Sequence, residues 1–178
     1  VWPSIVYAIK DGGPTTKKTA IGLLGNLIYD PKNAQDIWEE VQAPDVWPSI
    51  VDAIKDGDEL TKDAALFLLA NLARNPETKQ AIWEKVKAPN VWTSIVDTIK
   101  SDDKDIKNPA LLLLGNLARD SKTRANISHL LQEEDALNIC LQAFSEILAS
   151  SEQIRNPQRV MFSSLITILN HPPFSQRV

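Results

Sequence analysis

The sequence predicts an all-α solenoid, a stack of helical repeats, because the chain repeats itself every 45 residues. One tryptophan and one asparagine recur at that interval, as Trp2, Trp47 and Trp92 and as Asn26, Asn71 and Asn116. Aligned without gaps, residues 1–45 match residues 46–90 at 26 of 45 positions, and residues 46–90 match residues 91–135 at 20 of 45. We therefore predict a single array of three repeats, 1–45, 46–90 and 91–135, with a degenerate fourth unit at 136–178.

The second repeat, in which the pattern is cleanest, begins with a short amphipathic helix. Its apolar residues follow helical spacing and form one stripe, made of Val46, Trp47, Ile50, Val51 and Ile54. Pro48 is tolerated in the first turn, where amides have no partner within the helix, and Asp45 is the expected N-cap. Asp56-Gly57 should end this helix, and Asp11-Gly12 should end its counterpart in the first repeat.

Two more helices complete the repeat. A long helix is predicted from Glu59 to Arg74, with its core face formed by Ala65, Leu68, Leu69 and Leu72. A shorter helix is predicted from Thr78 to Lys87, with Ile82, Trp83 and Val86 on its apolar side. Ala88-Pro89-Asn90 should break it before the next Val-Trp pair. The five tryptophans fall on apolar faces, so we expect them to fill the core between repeats.

The long helix carries a family resemblance. The run from Ala64 to Ala73, with its counterparts Ala20–Ile28 and Ala110–Ala118, resembles the long helix of an armadillo repeat. The Val-Trp helix before it resembles the helix that precedes the long one in that family. The resemblance covers nearly the whole chain and implies a right-handed armadillo-type α-solenoid of three-helix repeats. The two-helix HEAT repeat, which stacks in the same way, is the alternative.

The fourth unit is degenerate. Ala136, Leu137, Cys140, Leu141 and Phe144 follow the pattern of the Val-Trp helix, and residues 162–170 follow that of the long helix. Ile168 stands where asparagine stood in the other three, and we expect an irregular loop over 150–158. Because the chain starts and stops within the repeat pattern, we interpret it as a fragment of a longer array.

The recurring asparagine is the main candidate for binding. Phe67, Asn71 and Arg74 fall at i, i+4 and i+7 on a side of the long helix about 100° from the leucine stripe, which predicts that the asparagine is exposed. The armadillo resemblance implies that the long helices line a concave groove in which Asn26, Asn71 and Asn116 hold the backbone of an extended peptide. Alternatively, these side chains bridge neighbouring helices inside the array.

Two further positions complete the predicted site. Four residues before each asparagine stand Gly22, Phe67 and Leu112; importin-type receptors of nuclear signals have tryptophan here, so we do not expect nuclear-signal binding. Three residues after each asparagine stand Tyr29, Arg74 and Arg119. An aromatic ring and two cations would suit an acidic or C-terminal segment.

Composition and charge exclude several functions. The net charge is −4 and no basic stripe exists, so we expect no nucleic-acid partner. One cysteine and the lack of an apolar run long enough for a membrane span favour a cytoplasmic protein, although a nuclear one is possible. His129 and His171 have no metal-ligand spacing, and no phosphate-binding or nucleophile motif is present. We therefore expect no cofactor, no metal and no enzyme activity.

Two functional hypotheses remain. The first is a protein–protein interaction scaffold that binds a partner segment in the groove of the long helices. The second is a regulator of small GTPases, because Leu23–Asp30 and the atypical fourth unit resemble armadillo-type exchange factors and chaperones of these proteins. That resemblance implies partners with basic, prenylated tails, which an acidic array attracts.

Overall fold

The computed structural model describes residues 2–28 and 30–150, and in these residues all regular structure is α-helical. The helices of the described residues are α1 (Trp2–Asp11), α2 (Pro14–Leu27), α3 (Pro31–Val41), α4 (Trp47–Lys55), α5 (Glu59–Leu72), α6 (Pro76–Val86), α7 (Pro89–Lys100), α8 (Lys104–Leu117), α9 (Ser121–Glu133) and α10 (Leu137–Ser150). Three helices recur in each of the three repeats, with the longest in the middle in every case. The three-helix unit predicted from the sequence is therefore confirmed.

Several predicted helix ends shift by about a turn or less. α5 ends at Leu72 instead of Arg74, and α6 begins at Pro76 instead of Thr78. The early start of α6 follows from Asn75, whose side chain accepts a hydrogen bond from the Glu77 amide at 2.9 Å and so caps the helix.

The prediction that Asp45 caps the following helix is wrong. The N-cap residue of α4 is Val46, which makes no side-chain capping bond. Asp45 instead accepts a hydrogen bond from Lys10 Nζ at 2.8 Å, which joins it to the last turn of α1. This contact lowers the pKa of the Asp45 carboxyl and raises that of the Lys10 ammonium. The ion pair thus takes the carboxylate away from the helix start.

The turn between the first two helices of a repeat depends on glycine. A Cβ atom at Gly57 would lie 2.3 Å from the Ala53 carbonyl oxygen, and one at Gly12 would lie 2.3 Å from that of Ala8. Either contact is far inside van der Waals distance, so both positions require glycine. The predicted stop signals at the ends of α1 and α4 are therefore steric requirements as well as helix breakers.

The chain divides into two compact units, Val1–Leu113 and Leu114–Val178. Within the first, equivalent helices stack on one another: α1 on α4 and α4 on α7, α2 on α5, and α3 on α6. The core between them is aliphatic, and all apolar side chains of α5 from Leu68 to Leu72 are fully buried. In the second unit, α9 packs on α10, and Cys140 and Phe144 of α10 are buried.

The tryptophans pair across successive helices. Trp38 meets Trp47, and Trp83 meets Trp92, each pair edge to face with ring centroids 6.2 Å apart. Trp38, Trp83 and Trp92 are buried, as predicted, whereas Trp2 and Trp47 are half-buried. The Lys85 ammonium lies 5.5 Å from the centroid of the Trp47 ring, which covers part of its exposed face.

The described residues include only the first part of the predicted fourth unit. α10 contains the apolar residues expected to open the fourth unit, whereas the predicted long helix at 162–170 and loop at 150–158 fall almost wholly outside the described residues. Among the helices that the structure describes, none is both long enough and apolar enough to cross a membrane.

Candidate binding groove and the asparagine positions

Asn71 is buried, not exposed as the sequence predicted. Its side chain is 5% exposed, and its Nδ2 donates a hydrogen bond to the Gly25 carbonyl oxygen of α2 at 3.2 Å. Asn116 is likewise only 2% exposed. The alternative interpretation, in which the asparagine bridges neighbouring helices, therefore describes Asn71.

The physical reason is the close packing of α5 on α2. The carbonyl that Asn71 reaches belongs to a glycine, and a Cβ atom at Gly25 would come within 3.3 Å of Phe67 Cδ1 and 3.7 Å of Leu68 Cα. Because Gly25 has no side chain, α2 and α5 can pack closely. The backbone of α2 therefore covers the side of α5 that the helical spacing predicted to be exposed. An angle of about 100° from the core stripe does not imply solvent when a helix has neighbours on three sides.

Four other predicted site residues lie apart from the buried asparagines or outside the described residues. Asn26 is exposed on α2, and Arg74 and Arg119 are exposed just beyond the ends of α5 and α8. Tyr29 lies outside the described residues. Neither Arg74 nor Arg119 is among the described residues that line the candidate binding groove.

That groove lies between α5 and α8 and has a volume of about 420 Å³. It brings together Phe67 and Leu112, the two side chains predicted at the position four residues before the asparagine. The full lining set is Glu59, Leu60, Asp63, Phe67, Asn108, Pro109 and Leu112. All of these residues belong to the unit Val1–Leu113.

Five of the lining residues were missed in the sequence, although a signal for most of them exists. Asp63 and Glu59 stand four and eight residues before Phe67, and Asn108 stands four before Leu112, so each extends the predicted line by helical turns. Extending that line toward the helix N-termini would have found them. Asn71 itself stands at the opposite, C-terminal end of α5.

The groove combines an apolar surface with carboxylates. Leu60 is 60% exposed, Phe67 and Leu112 are half-buried, and Pro109 is a buried part of the lining. Glu59 and Asp63 are acidic, and among the residues whose side chains the structure describes, no lysine or arginine lines this groove. Pro109 has no amide hydrogen and cannot donate to the carbonyl of Asp105, so one main-chain acceptor of α8 lacks its usual helical donor.

Other candidate chemistry is dispersed. In the part of the chain that the structure describes, no group of three or more His, Cys, Asp or Glu side chains is placed to hold a metal ion. His129 Nδ1 lies 3.4 Å from Glu133 Oε2 on the same exposed helix face, and Cys140 is buried.

Comparison with known proteins identifies the fold. No family model matches the sequence, and no curated protein matches it. Among solved structures, the chain is similar to the designed armadillo repeat protein YIII(Dq)4CqI, with a TM-score of 0.65 and 17% identity over 93% of this chain and 63% of that one. It is also similar to the designed armadillo repeat protein YIII(Dq.V1)4CPAF in complex with peptide (KR)4, with a TM-score of 0.65 and 16% identity over the same shares.

These similarities confirm the fold class predicted from the sequence. The chain has an armadillo-like, all-α solenoid fold. The three-helix unit agrees with this class and disagrees with the two-helix HEAT alternative. The chain spans 63% of the length of the two designed proteins.

Proposed function

We propose that this chain is a protein-interaction scaffold and that the groove between α5 and α8 binds an extended segment of a partner protein. The observation that carries the proposal is the groove itself, about 420 Å³ lined by two adjacent long helices. This volume lies within the range of roughly 300–1,000 Å³ that is usual for ligand sites. A partner needs only shape complementarity, apolar contact and hydrogen bonds here, so the activity is binding and not catalysis.

The lining residues favour a segment with both apolar and basic side chains. Leu60, Phe67 and Leu112 offer apolar contact, whereas Glu59 and Asp63 place negative charge at the same groove. The solved complex of a similar designed armadillo protein with the basic peptide (KR)4 supports the same charge preference. We therefore propose a basic partner segment instead of the acidic one suggested by Arg74 and Arg119, which do not line the groove.

Three labelled peptides test this proposal by fluorescence anisotropy: (Lys-Arg)4, (Leu-Arg)4 and (Leu-Glu)4. We expect (Leu-Arg)4 to bind most tightly and (Leu-Glu)4 most weakly. The double variant Glu59→Gln/Asp63→Asn should lower the affinity for both basic peptides by roughly 3- to 10-fold, the size expected for the loss of two exposed charge pairs. Phe67→Ala should weaken (Leu-Arg)4 more than (Lys-Arg)4, because only the former places leucine against the ring.

A matched control removes the same charge elsewhere. Asp52 and Glu77 are exposed on α4 and α6 and do not line the groove, so Asp52→Asn/Glu77→Gln should leave the affinity for all three peptides nearly unchanged. Equal weakening by the two double variants would mean that basic peptides respond only to net charge. That result, or tightest binding of (Leu-Glu)4, would contradict the proposal.

A regulator of small GTPases is the second candidate. The acidic lining of the groove favours this candidate, because the resemblance to GTPase regulators implies partners with basic tails. The measurement is the rate of nucleotide release from a panel of small GTPases on addition of the protein. This candidate would be supported if the protein accelerates nucleotide release and Glu59→Gln/Asp63→Asn reduces the acceleration. Binding of a GTPase without nucleotide release would support the scaffold function only.

A further inference from the structure

The surface beside the groove changes charge between α5 and α2. Every α5 residue that lines the groove has a counterpart on α2, 45 residues earlier in the chain. In chain order, the counterparts of Glu59, Leu60, Asp63 and Phe67 are Pro14, Thr15, Lys18 and Gly22. We call these four residues of α2 the α2 surface. Two carboxylates and two large apolar side chains on α5 thus correspond to a single ammonium group on α2.

Phe67 connects the groove with the α2 surface. Its side chain lines the groove, and it also lies against α2, because a Cβ atom at Gly25 would be 3.3 Å from Phe67 Cδ1 and 3.7 Å from Cε1. α2 packs directly on α5, and both helices and the groove belong to the unit Val1–Leu113. A partner segment that fills the groove and continues past the Phe67 ring therefore meets the α2 surface next.

The α2 surface is accessible and carries positive charge next to the start of α5. Thr15 is exposed, and among the described residues no atom lies within 4 Å of where a Cβ atom at Gly22 would be. Lys18 is half-buried. Hydrogen bonds from Thr61 lower the pKa of the Asp58 carboxyl, and the charge of Lys18 lowers it further. The Lys18 ammonium therefore acts at the end of α5 where the groove begins.

We propose that the partner segment carries charges of both signs in a fixed order, with apolar and basic residues in the groove and an acidic residue at Lys18. This charge order refines the binding function proposed above and rests on it. Packed helix axes lie about 8–10 Å apart, and an extended chain advances about 3.3 Å per residue. The acidic residue should therefore stand two or three positions from the nearest basic one.

Charge order gives the groove a specificity that net charge alone cannot supply. A uniformly basic segment brings like charge to Lys18, and a uniformly acidic segment brings like charge to Glu59 and Asp63. Like charges placed together at an interface select against the wrong partner. The preferred segment is thus close to neutral overall.

Peptides of identical composition test the order of charges. The ordered peptide is Leu-Arg-Leu-Arg-Gly-Glu-Gly-Glu, and the swapped peptide, Leu-Glu-Leu-Glu-Gly-Arg-Gly-Arg, exchanges only the charged residues. Each is also made with its sequence reversed, because the segment can run in either direction. In fluorescence anisotropy, we expect one direction of the ordered peptide to bind at least about threefold more tightly than both swapped peptides, the size expected for an exposed charge pair.

Lys18→Gln should have effects of opposite sign on two peptides. The affinity for the ordered peptide should fall about threefold, whereas the affinity for (Leu-Arg)4 should stay the same or rise, because a like charge is removed. Lys55→Gln is the matched control. Lys55 is exposed at the end of α4 and does not line the groove, so its loss should change neither affinity.

A gain of binding gives an independent measurement. Lys18→Asp/Gly22→Phe copies the side chains of Asp63 and Phe67 onto α2, where the space at Gly22 admits a ring. The affinity for (Leu-Arg)4 should rise by about tenfold, and the ordered peptide should lose its advantage over the swapped one. Circular dichroism verifies the helicity of this double variant, and the Lys18→Gln comparison does not depend on it.

The outcomes separate this inference from the function on which it rests. If (Leu-Arg)4 fails to bind, or binds without sensitivity to Glu59→Gln/Asp63→Asn, both are refuted. If that sensitivity is present but the swapped peptides bind as tightly as the ordered ones, only the charge order is overturned. Lys18→Gln shifting the affinities for the ordered peptide and (Leu-Arg)4 equally and in the same direction would overturn it as well.

Discussion

Asn71 shows how one side chain joins two long helices. Its amide is buried and donates to a main-chain carbonyl of α2, while Asn26, at the same place in the preceding repeat, is exposed. The two residues share their sequence surroundings, with leucine on each side at the same spacing. A comparison of the two therefore separates the contribution of the contact from that of the residue type.

We predict that Asn71→Ala lowers the free energy of unfolding by about 1–3 kcal/mol, because the Gly25 carbonyl loses a buried donor. Asn26→Ala in the same protein should change it little. Urea denaturation followed by circular dichroism measures both. A loss as large for Asn26→Ala as for Asn71→Ala would show that the asparagine acts through its own helix and not through α2.

The tryptophans give a second residue-level prediction. Trp83 is 2% exposed and packs edge to face on Trp92, so Trp83→Ala should cost about 3–5 kcal/mol of unfolding free energy. Trp47→Ala should cost less, because its ring is half-buried and shares its exposed face with Lys85. Thermal denaturation of the two variants tests the order, and a reversed order would contradict the packing described here.

Two glycine positions in α2 have opposite roles. Gly22 has open space around it, so Gly22→Ala should raise stability by about 0.5–1 kcal/mol through helix propensity alone. Gly25 lies against Phe67 and the backbone of α5, so Gly25→Leu should destabilise the protein by forcing α2 and α5 apart. Chemical denaturation of both variants measures the contrast, and tolerance of leucine at Gly25 would be inconsistent with the α2–α5 contact.

The lowered pKa values of two carboxylates at helix junctions predict how the stability of the protein responds to acid. The hydrogen bond from Lys10 lowers the pKa of Asp45, and hydrogen bonds from Thr61 lower that of Asp58, the N-cap of α5. A depressed folded-state pKa stabilises the protein above the ordinary value of 3.8, and this contribution is lost as the pH falls through the folded-state value.

The test is the urea midpoint of the wild type and of Asp45→Asn/Asp58→Asn, measured from neutral pH downward. The midpoint of the double variant should fall less below about pH 4 than that of the wild type, because neither asparagine can be protonated there. Lys10→Gln removes the donor of Asp45 and should reproduce part of this difference. Parallel curves for all three proteins would exclude these two carboxylates as the source of acid sensitivity.

Periodicity alone is enough to predict the repeat and its three helices. The match at a fixed interval identified equivalent residues, and apolar spacing within each interval identified the helix faces. What the sequence could not supply is which side of a helix meets a neighbour. Asn71 lies off the leucine stripe and yet is buried, because stacking of α5 on α2 adds a second buried side that no single-helix pattern contains.

The groove was predicted only in part for the same reason. Phe67 and Leu112 were found because they stand at a fixed distance from the asparagine, and both line the groove. Arg74 and Arg119 stand at an equally regular spacing but lie beyond the helix ends, outside it. Regular spacing identifies equivalent positions on the helices without revealing whether a cavity lies beside them.

The bond from Asn71 ends on a main-chain oxygen, and this has a consequence for evolution. Every residue has a main-chain carbonyl oxygen, so the contact requires only a small residue in the adjoining module, such as Gly25, and no specific polar side chain. Duplicated modules can then diverge at other positions without losing this contact. A duplicated module already contains both the asparagine and the small residue of this contact. Gene duplication can therefore lengthen the protein without a compensating mutation at this contact.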